Sequence, residues 1–154
     1  MSDSIETLKF KVGLSATYFN NKPEYSVHID SNEICRNVVS VESDEIFYIE
    51  FSADLSENSD HNLVIKLHNK TDTDVVVDNG QIIKDTLLNI KSVEIDDIDL
   101  GSLIWSNSIY KPDHPQKFNN EIITELKNCV NLGWNGSYIL PFTSPFYIWL
   151  LENI

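Results

Sequence analysis

Arginine is almost absent from this sequence. Arg36 is the single one, beside ten lysines scattered along 154 residues, while 24 side chains are acidic and the formal net charge is −13. A nucleic-acid binder needs clustered cations to displace counterions from phosphates, so that partner class is excluded, as is electrostatic attachment to an anionic membrane. Glycine is scarce too, with five in all, and the chain has no Gly-rich phosphate loop, no GxSxG and no HExxH. The four histidines, His28, His61, His68 and His114, show no i, i+4 pairing, which argues against a zinc site. Cysteine is limited to Cys35 and Cys129, far apart and without a CxxC arrangement. The expectation is two reduced thiols packed as small apolar side chains. No apolar run approaches the ~20 residues of a membrane span. The first residues, Met1 to Glu6, offer no basic or apolar leader, so the chain is expected to be made in a cytoplasm and to stay soluble.

What is present is strand-like alternation, centred on His61 to Trp105. Leu63, Ile65 and Leu67 alternate with Asn62, Val64, Lys66 and His68, the pattern of a half-buried antiparallel strand. A polar, acidic loop from Lys70 to Asp85 follows, and strand-like sequence resumes from Thr86 to Leu100. Val93 and Ile95 share one parity, Ile98 and Leu100 the other. A straight strand cannot place all four on one face, so Asp96-Asp97 is predicted to be a hairpin tip.

Elsewhere, Leu8, Phe10 and Val12 alternate with Lys9 and Lys11, and Tyr25 to Asp30 alternates strictly. Glu45 to Phe51 is apolar on both parities and suggests a strand covered on both faces. Asn119 to Val130 is the one helical candidate, with Ile122, Ile123, Leu126 and Val130 on one face and an Asn cap. Phe146 to Leu151 reads as an apolar closing strand that cannot be an exposed edge. A chain of this length buries about 68–70% of its unfolded surface. The pattern predicts one all-β domain over residues 1–154, a jelly-roll-type antiparallel β-sandwich with one short helix.

Few residues suggest chemistry. Asp96, Asp97 and Asp99 resemble the paired carboxylates of a glycosidase, but a hairpin tip would leave them solvated and ordinary, as it would the outward-facing His28 and His68. The chain is therefore read as no enzyme. Asp72, Asp74 and Asp78 could hold a hard cation such as calcium, which takes several oxygens from a short segment. Val75-Val76-Val77 between them looks like a strand that would part Asp78 from the others, and a solvated acidic loop is the plainer account. Trp149 belongs to the core. Trp105 sits in core or rim, and Trp134 in a Gly-flanked turn, with Tyr110 in a proline-bearing loop nearby. Aromatics so placed stack on sugar rings or anchor protein interfaces.

The order of His61-Asn62-Leu63-Val64-Ile65-Lys66-Leu67, an acidic loop, and Leu87 to Ile98 resembles the calcium-dependent xylan-binding modules over about 45 residues. That resemblance implies a jelly roll. The family's calcium ligands come from loops near its C-terminal end, where the matching stretch here, Ser106 to Phe118, offers Asp113 alone. The whole chain, including Gly133-Trp134-Asn135-Gly136 and Phe146 to Asn153, resembles small proteins encoded by tailed bacteriophages of marine and aquatic bacteria, a group regarded as virion-associated. The two together imply a non-enzymatic structural or accessory protein of a phage particle, located in the virion and contacting other virion proteins, with no cofactor. The alternative is a glycan-binding, lectin-like module using Trp134 and calcium. Bulky groups on both faces of a terminal strand further predict a homo-oligomer formed around the C-terminal hairpin, with Trp134 at the contact.

Overall fold

Alternating side chains sort the chain into two facing sheets. The computed structural model describes residues 4–154; Met1 to Asp3, part of the stretch read above for a leader, lie outside the described residues. Strand β1 (Ile5–Thr17) turns Leu8, Phe10, Val12 and Leu14 fully inward. It is flanked antiparallel by β4 (Phe47–Ser56) and β8 (Leu87–Ile95). The short β14 (Asn131–Leu132) and β9 (Ile98–Asp99) complete this five-stranded sheet beside β8. The opposing sheet has six strands, in the order β13 (Leu126–Lys127), β10 (Ile109–Pro112), β15 (Gly136–Ser144), β5 (Ser59–Leu67), β2 (Glu24–Ile29) and β3 (Asn32–Val38). The result is an all-β antiparallel sandwich.

The core lies between the sheets. Phe10 stacks on Phe51 at 4.9 Å between ring centroids and meets Phe142 of the other sheet at 6.1 Å. Leu63, Ile65, Leu67, Tyr138 and Leu140 are 0–1% exposed beside them, each such burial being worth about 1.5–3 kcal/mol. The inward parity of β1 and β5, and of Val93 and Ile95 in β8, is the one the sequence predicts, whereas β2 buries Ser26 and His28 along with Tyr25, Val27 and Ile29. Cys35 and Cys129 are free thiols. No helix among the described residues is long and apolar enough to cross a membrane.

Three hairpins turn on pairs of residues with positive φ. They are Asn79-Gly80 between β6 (Val76–Asp78) and β7 (Gln81–Lys84), Asp96-Asp97 between β8 and β9, and Asn119-Asn120 between β11 (Gln116–Phe118) and β12 (Glu121–Ile123). Two successive left-handed residues form the turn whose twist matches that of paired strands, and Asn, Asp and Gly tolerate it best. The hairpin tip expected at Asp96-Asp97 is therefore present.

Several expectations are corrected. Asn119 to Val130 is not a helix: Asn119 (φ 50°) and Asn120 (φ 67°) reverse the chain into β12, and β13 follows. The apolar periodicity there had no face to dock, and Ile122 is 75% exposed. The closing strand is instead a helix, α2 (Phe146–Asn153). A short apolar run is compatible with either state, and what decides it is the cap. The Glu6 carboxylate accepts hydrogen bonds from the Phe146 N–H at 3.0 Å and Ser144 Oγ at 2.6 Å, and a carboxylate at a helix N-terminus satisfies orphan donors and the dipole. Phe146 and Trp149 are buried, whereas Tyr147, Ile148 and Leu151 are exposed. β4 is an edge strand covered on one face only, with Tyr48 exposed under the Lys11 ammonium.

Candidate functional site

The tetrapeptide Gly133-Trp134-Asn135-Gly136 enters β15, and every one of its residues is tied to another segment. The Gly133 carbonyl accepts from Lys70 Nζ at 2.7 Å. The Trp134 N–H donates to the Tyr110 hydroxyl at 2.7 Å, and that hydroxyl donates back to the Trp134 carbonyl. The Asn135 side-chain amide pairs with the Lys70 backbone, accepting from its N–H at 2.8 Å and donating to its carbonyl at 2.9 Å. The Asn135 carbonyl takes the Asp113 N–H at 2.9 Å. A Cβ on Gly136 would stand 2.4 Å from the Lys111 carbonyl oxygen, so only glycine permits β10 and β15 to approach so closely here.

These ties close one side of a cleft of about 690 Å³ at the end of the sandwich. Trp134 and Gly133 form part of its wall, with Lys70, Thr71, Asp72 and Asp85 from the connection after β5. Asp113, His114, Gln116 and Phe118 come from the β10–β11 segment, and Ile82 from the β6–β7 hairpin. The volume falls within the range of about 300–1,000 Å³ usual for small-ligand sites. An indole, apolar side chains and convergent carboxylates and amides on one wall suit a ligand with both apolar faces and hydroxyl groups.

The sequence-predicted residues separate here. Trp134 is half-buried and lines the cleft. Tyr110 is 1% exposed and lies behind it, its ring stacked on the indole at 6.2 Å and 20°. It holds Trp134 in place and does not reach the cleft; burial pushes its phenol well above its ordinary pKa of 10.0. Trp105 is 50% exposed on the single-turn helix α1 (Leu103–Ser106) and is not part of the cleft wall.

Of the three acids offered for a metal, only Asp72 faces the cleft. Asp74 is 1% exposed rather than solvated, because it closes a short 3₁₀ turn. Its Oδ2 accepts from the Thr71 N–H at 2.9 Å, and its Oδ1 from Asn21 Nδ2 at 3.2 Å. Asp78 stands on the exposed β6 hairpin, and Val76-Val77 do part it from the others. Asp96, Asp97 and Asp99 are at or beside the other hairpin tip, where Asp96 binds the Lys9 backbone.

Sequence reasoning missed Lys70 and Asp85. Lys70 Nζ lies 2.5 Å from Asp85 Oδ1, with the two side chains 12% and 25% exposed. It also missed His68, which faces the cleft, and its partner His28, both expected to be solvated. His28 is 9% exposed, and Ser26 Oγ bridges the two rings, 2.7 Å from His28 Nε2 and 2.6 Å from His68 Nε2. A hydroxyl has one proton, so one imidazole accepts and the other donates. Burial lowers both histidine pKa values, helped by the Lys66 charge at His28 and the Arg36 charge at His68. Sequence separation hid these pairs; only strand register joins them.

No protein-family model and no curated protein matches this sequence. Solved structures do. One, described as vCBM60 in complex with galactobiose, superposes with a TM-score of 0.53 at 11% identity, covering 86% of this chain and 96% of that one. A second, the SeMet form of vCBM60, is described with two families of calcium-dependent carbohydrate binding modules. It gives a TM-score of 0.53 at 10% identity over 86% of this chain and 89% of that one. The chain shares the antiparallel β-sandwich fold of these two structures.

Calcium takes about six to eight oxygens. In this cleft Asp85 Oδ1 and the Gly133 carbonyl oxygen already hold an ammonium, and both carboxylate oxygens of Asp74 are engaged away from it. Asp72 and Asp113 remain, and no three His, Cys, Asp or Glu side chains among the described residues cluster as a metal site. The donor set does not fit a calcium ion.

Proposed function

We propose that this protein is a non-catalytic glycan-binding module and that the cleft walled by Trp134 is its ligand site. One observation carries the reading: the indole is fixed at its backbone by Tyr110 and faces a polar cleft. A rigid aromatic offers stacking area to a sugar ring at little entropic cost. The similarity of the fold to carbohydrate-binding modules, one of them described with galactobiose, supports the same reading.

The test is binding of galactobiose and xylo-oligosaccharides by calorimetry, with affinity electrophoresis on the parent polysaccharides. A saturable interaction that Trp134→Ala weakens at least tenfold, with the far-UV spectrum unchanged, is expected. Equal binding by Trp134→Ala, or none by the native protein across a broad glycan panel, would sink it.

A role inside a phage particle, with virion partners and virion location, rests on the sequence resemblance alone and draws no support from the fold. The oligomer argument loses its premise, since Phe146 to Leu151 is a capped helix and not a two-faced strand. Trp134 and that helix flank opposite ends of β15, whose nine residues span roughly 30 Å.

A further inference from the structure

From the cleft's donor set we infer that the ammonium of Lys70 is the resident cation of the ligand site, and that it anchors an uncharged saccharide through a ring hydroxyl without any metal. The inference rests on the glycan reading above and adds the means of recognition. Three observations carry it. Lys70 lines the cleft, its side chain is 12% exposed, and its Nζ is held by Asp85 Oδ1 at 2.5 Å and the Gly133 carbonyl at 2.7 Å. An ammonium has three N–H donors, so two are engaged and one is left for a ligand. The Lys70 backbone is itself fixed at both its N–H and its carbonyl by Asn135, so the charge sits on a braced segment and not on a free surface side chain.

The chemistry around that proton narrows the ligand. Asp85 already balances the lysine charge, while Asp72 and Asp113, which also line the cleft, take part in none of the ion pairs among the described residues. An anionic sugar would meet these two carboxylates, and like charges brought together raise the cost of binding. A neutral sugar presenting adjacent hydroxyls meets them favourably. One hydroxyl oxygen accepts from the ammonium and a neighbouring hydroxyl donates to a carboxylate, while the ring's apolar face meets Trp134. A divalent ion in this cleft would compete with Lys70 for Asp85 Oδ1 and the Gly133 carbonyl.

Two measurements test this. Terbium, a calcium mimic whose emission is excited through nearby tryptophan, reports metal in the Trp134 cleft without any sugar. No saturable emission is expected from the native protein at micromolar terbium. Galactobiose affinity, measured by calorimetry, should be the same in EDTA as in millimolar calcium and should fall at least tenfold in Lys70→Met. Should Lys70→Met fail to fold, Asp85→Asn keeps the lysine but loosens its anchor, and a drop in affinity is again expected. Saturable terbium emission displaced by calcium, or binding abolished by EDTA, overturns the inference and leaves the glycan reading standing. Unchanged affinity in a folded Lys70→Met does the same. Absence of binding to every saccharide overturns both.

Discussion

The hydroxyl of Tyr110 takes up both backbone polar groups of Trp134, accepting from its N–H and donating to its carbonyl. Tyr110 on β10, where the sequence suggested a loop, and Trp134 on the turn before β15 thereby act as a brace and a cleft wall. Tyr110→Phe leaves the Trp134 N–H and C=O without that partner. A loss of about 1–3 kcal/mol is expected in urea unfolding, together with weaker glycan binding although no ligand contact is removed. Unchanged stability and affinity would mean that the brace is idle.

Trp134→Ala should behave differently. The indole is only half-buried, so its loss costs part of a full burial as well as the aromatic pair, together about 2–3 kcal/mol. Binding should be weakened while the variant still unfolds in one cooperative step. A collapse of the fold in this variant would make Trp134 a core residue instead.

His61 gives stability a pH dependence. Its Nδ1 faces Asp30 Oδ2 and its Nε2 faces the Ser56 carbonyl, each at 2.8 Å. Both partners are acceptors, so the doubly protonated ring is the form that satisfies both. Burial alone would lower its pKa, but the Ser56 carbonyl and the hydrogen bond and charge of Asp30, aided by Asp60, outweigh it and raise the value above 6.5. The contribution is therefore complete below the unfolded value and fades as pH rises through the higher folded one. Urea midpoints should fall across that rise, and Asp30→Asn should flatten the dependence. An imidazole NMR titration placing His61 below 6.5 would contradict it.

Glu6 decides the end of the chain. Glu6→Ala removes the acceptor of the Phe146 N–H and Ser144 hydroxyl, with an expected cost of about 0.5–2 kcal/mol. Amide exchange across α2 should quicken in this variant, while that of β5 stays slow. Equal protection of α2 with and without Glu6 would show that packing of Phe146 and Trp149 suffices.

Asn120 separates a hairpin from a helix over 119–130. Valine at φ 67° is strained by about 1–3 kcal/mol, so Asn120→Val should speed amide exchange in Gln116–Ile123 with little change in the global midpoint. A helix would tolerate the valine there with little change.

The strands were legible because a two-residue period survives wherever one face meets the core: Leu8, Phe10 and Val12, or Leu63, Ile65 and Leu67, are inward in sequence and in structure alike. The Asp96-Asp97 tip was legible from a parity change. Trp134 was found from its flanking glycines, which mark a place where the chain must pass close to another segment.

What the tertiary structure alone decided depends on contacts between distant residues. Phe146 to Asn153 is helical because Glu6, at the other end of the chain, supplies the cap. Asn119-Asn120 begins a hairpin and not a helix because no sheet surface awaits an apolar face there. The cleft's cation is Lys70 because Asp85 and Gly133 converge on it, and His28 is buried because strand pairing carries His68 to the same hydroxyl. A local pattern records which face of a strand is wet. It carries no record of which remote oxygen will meet a given proton.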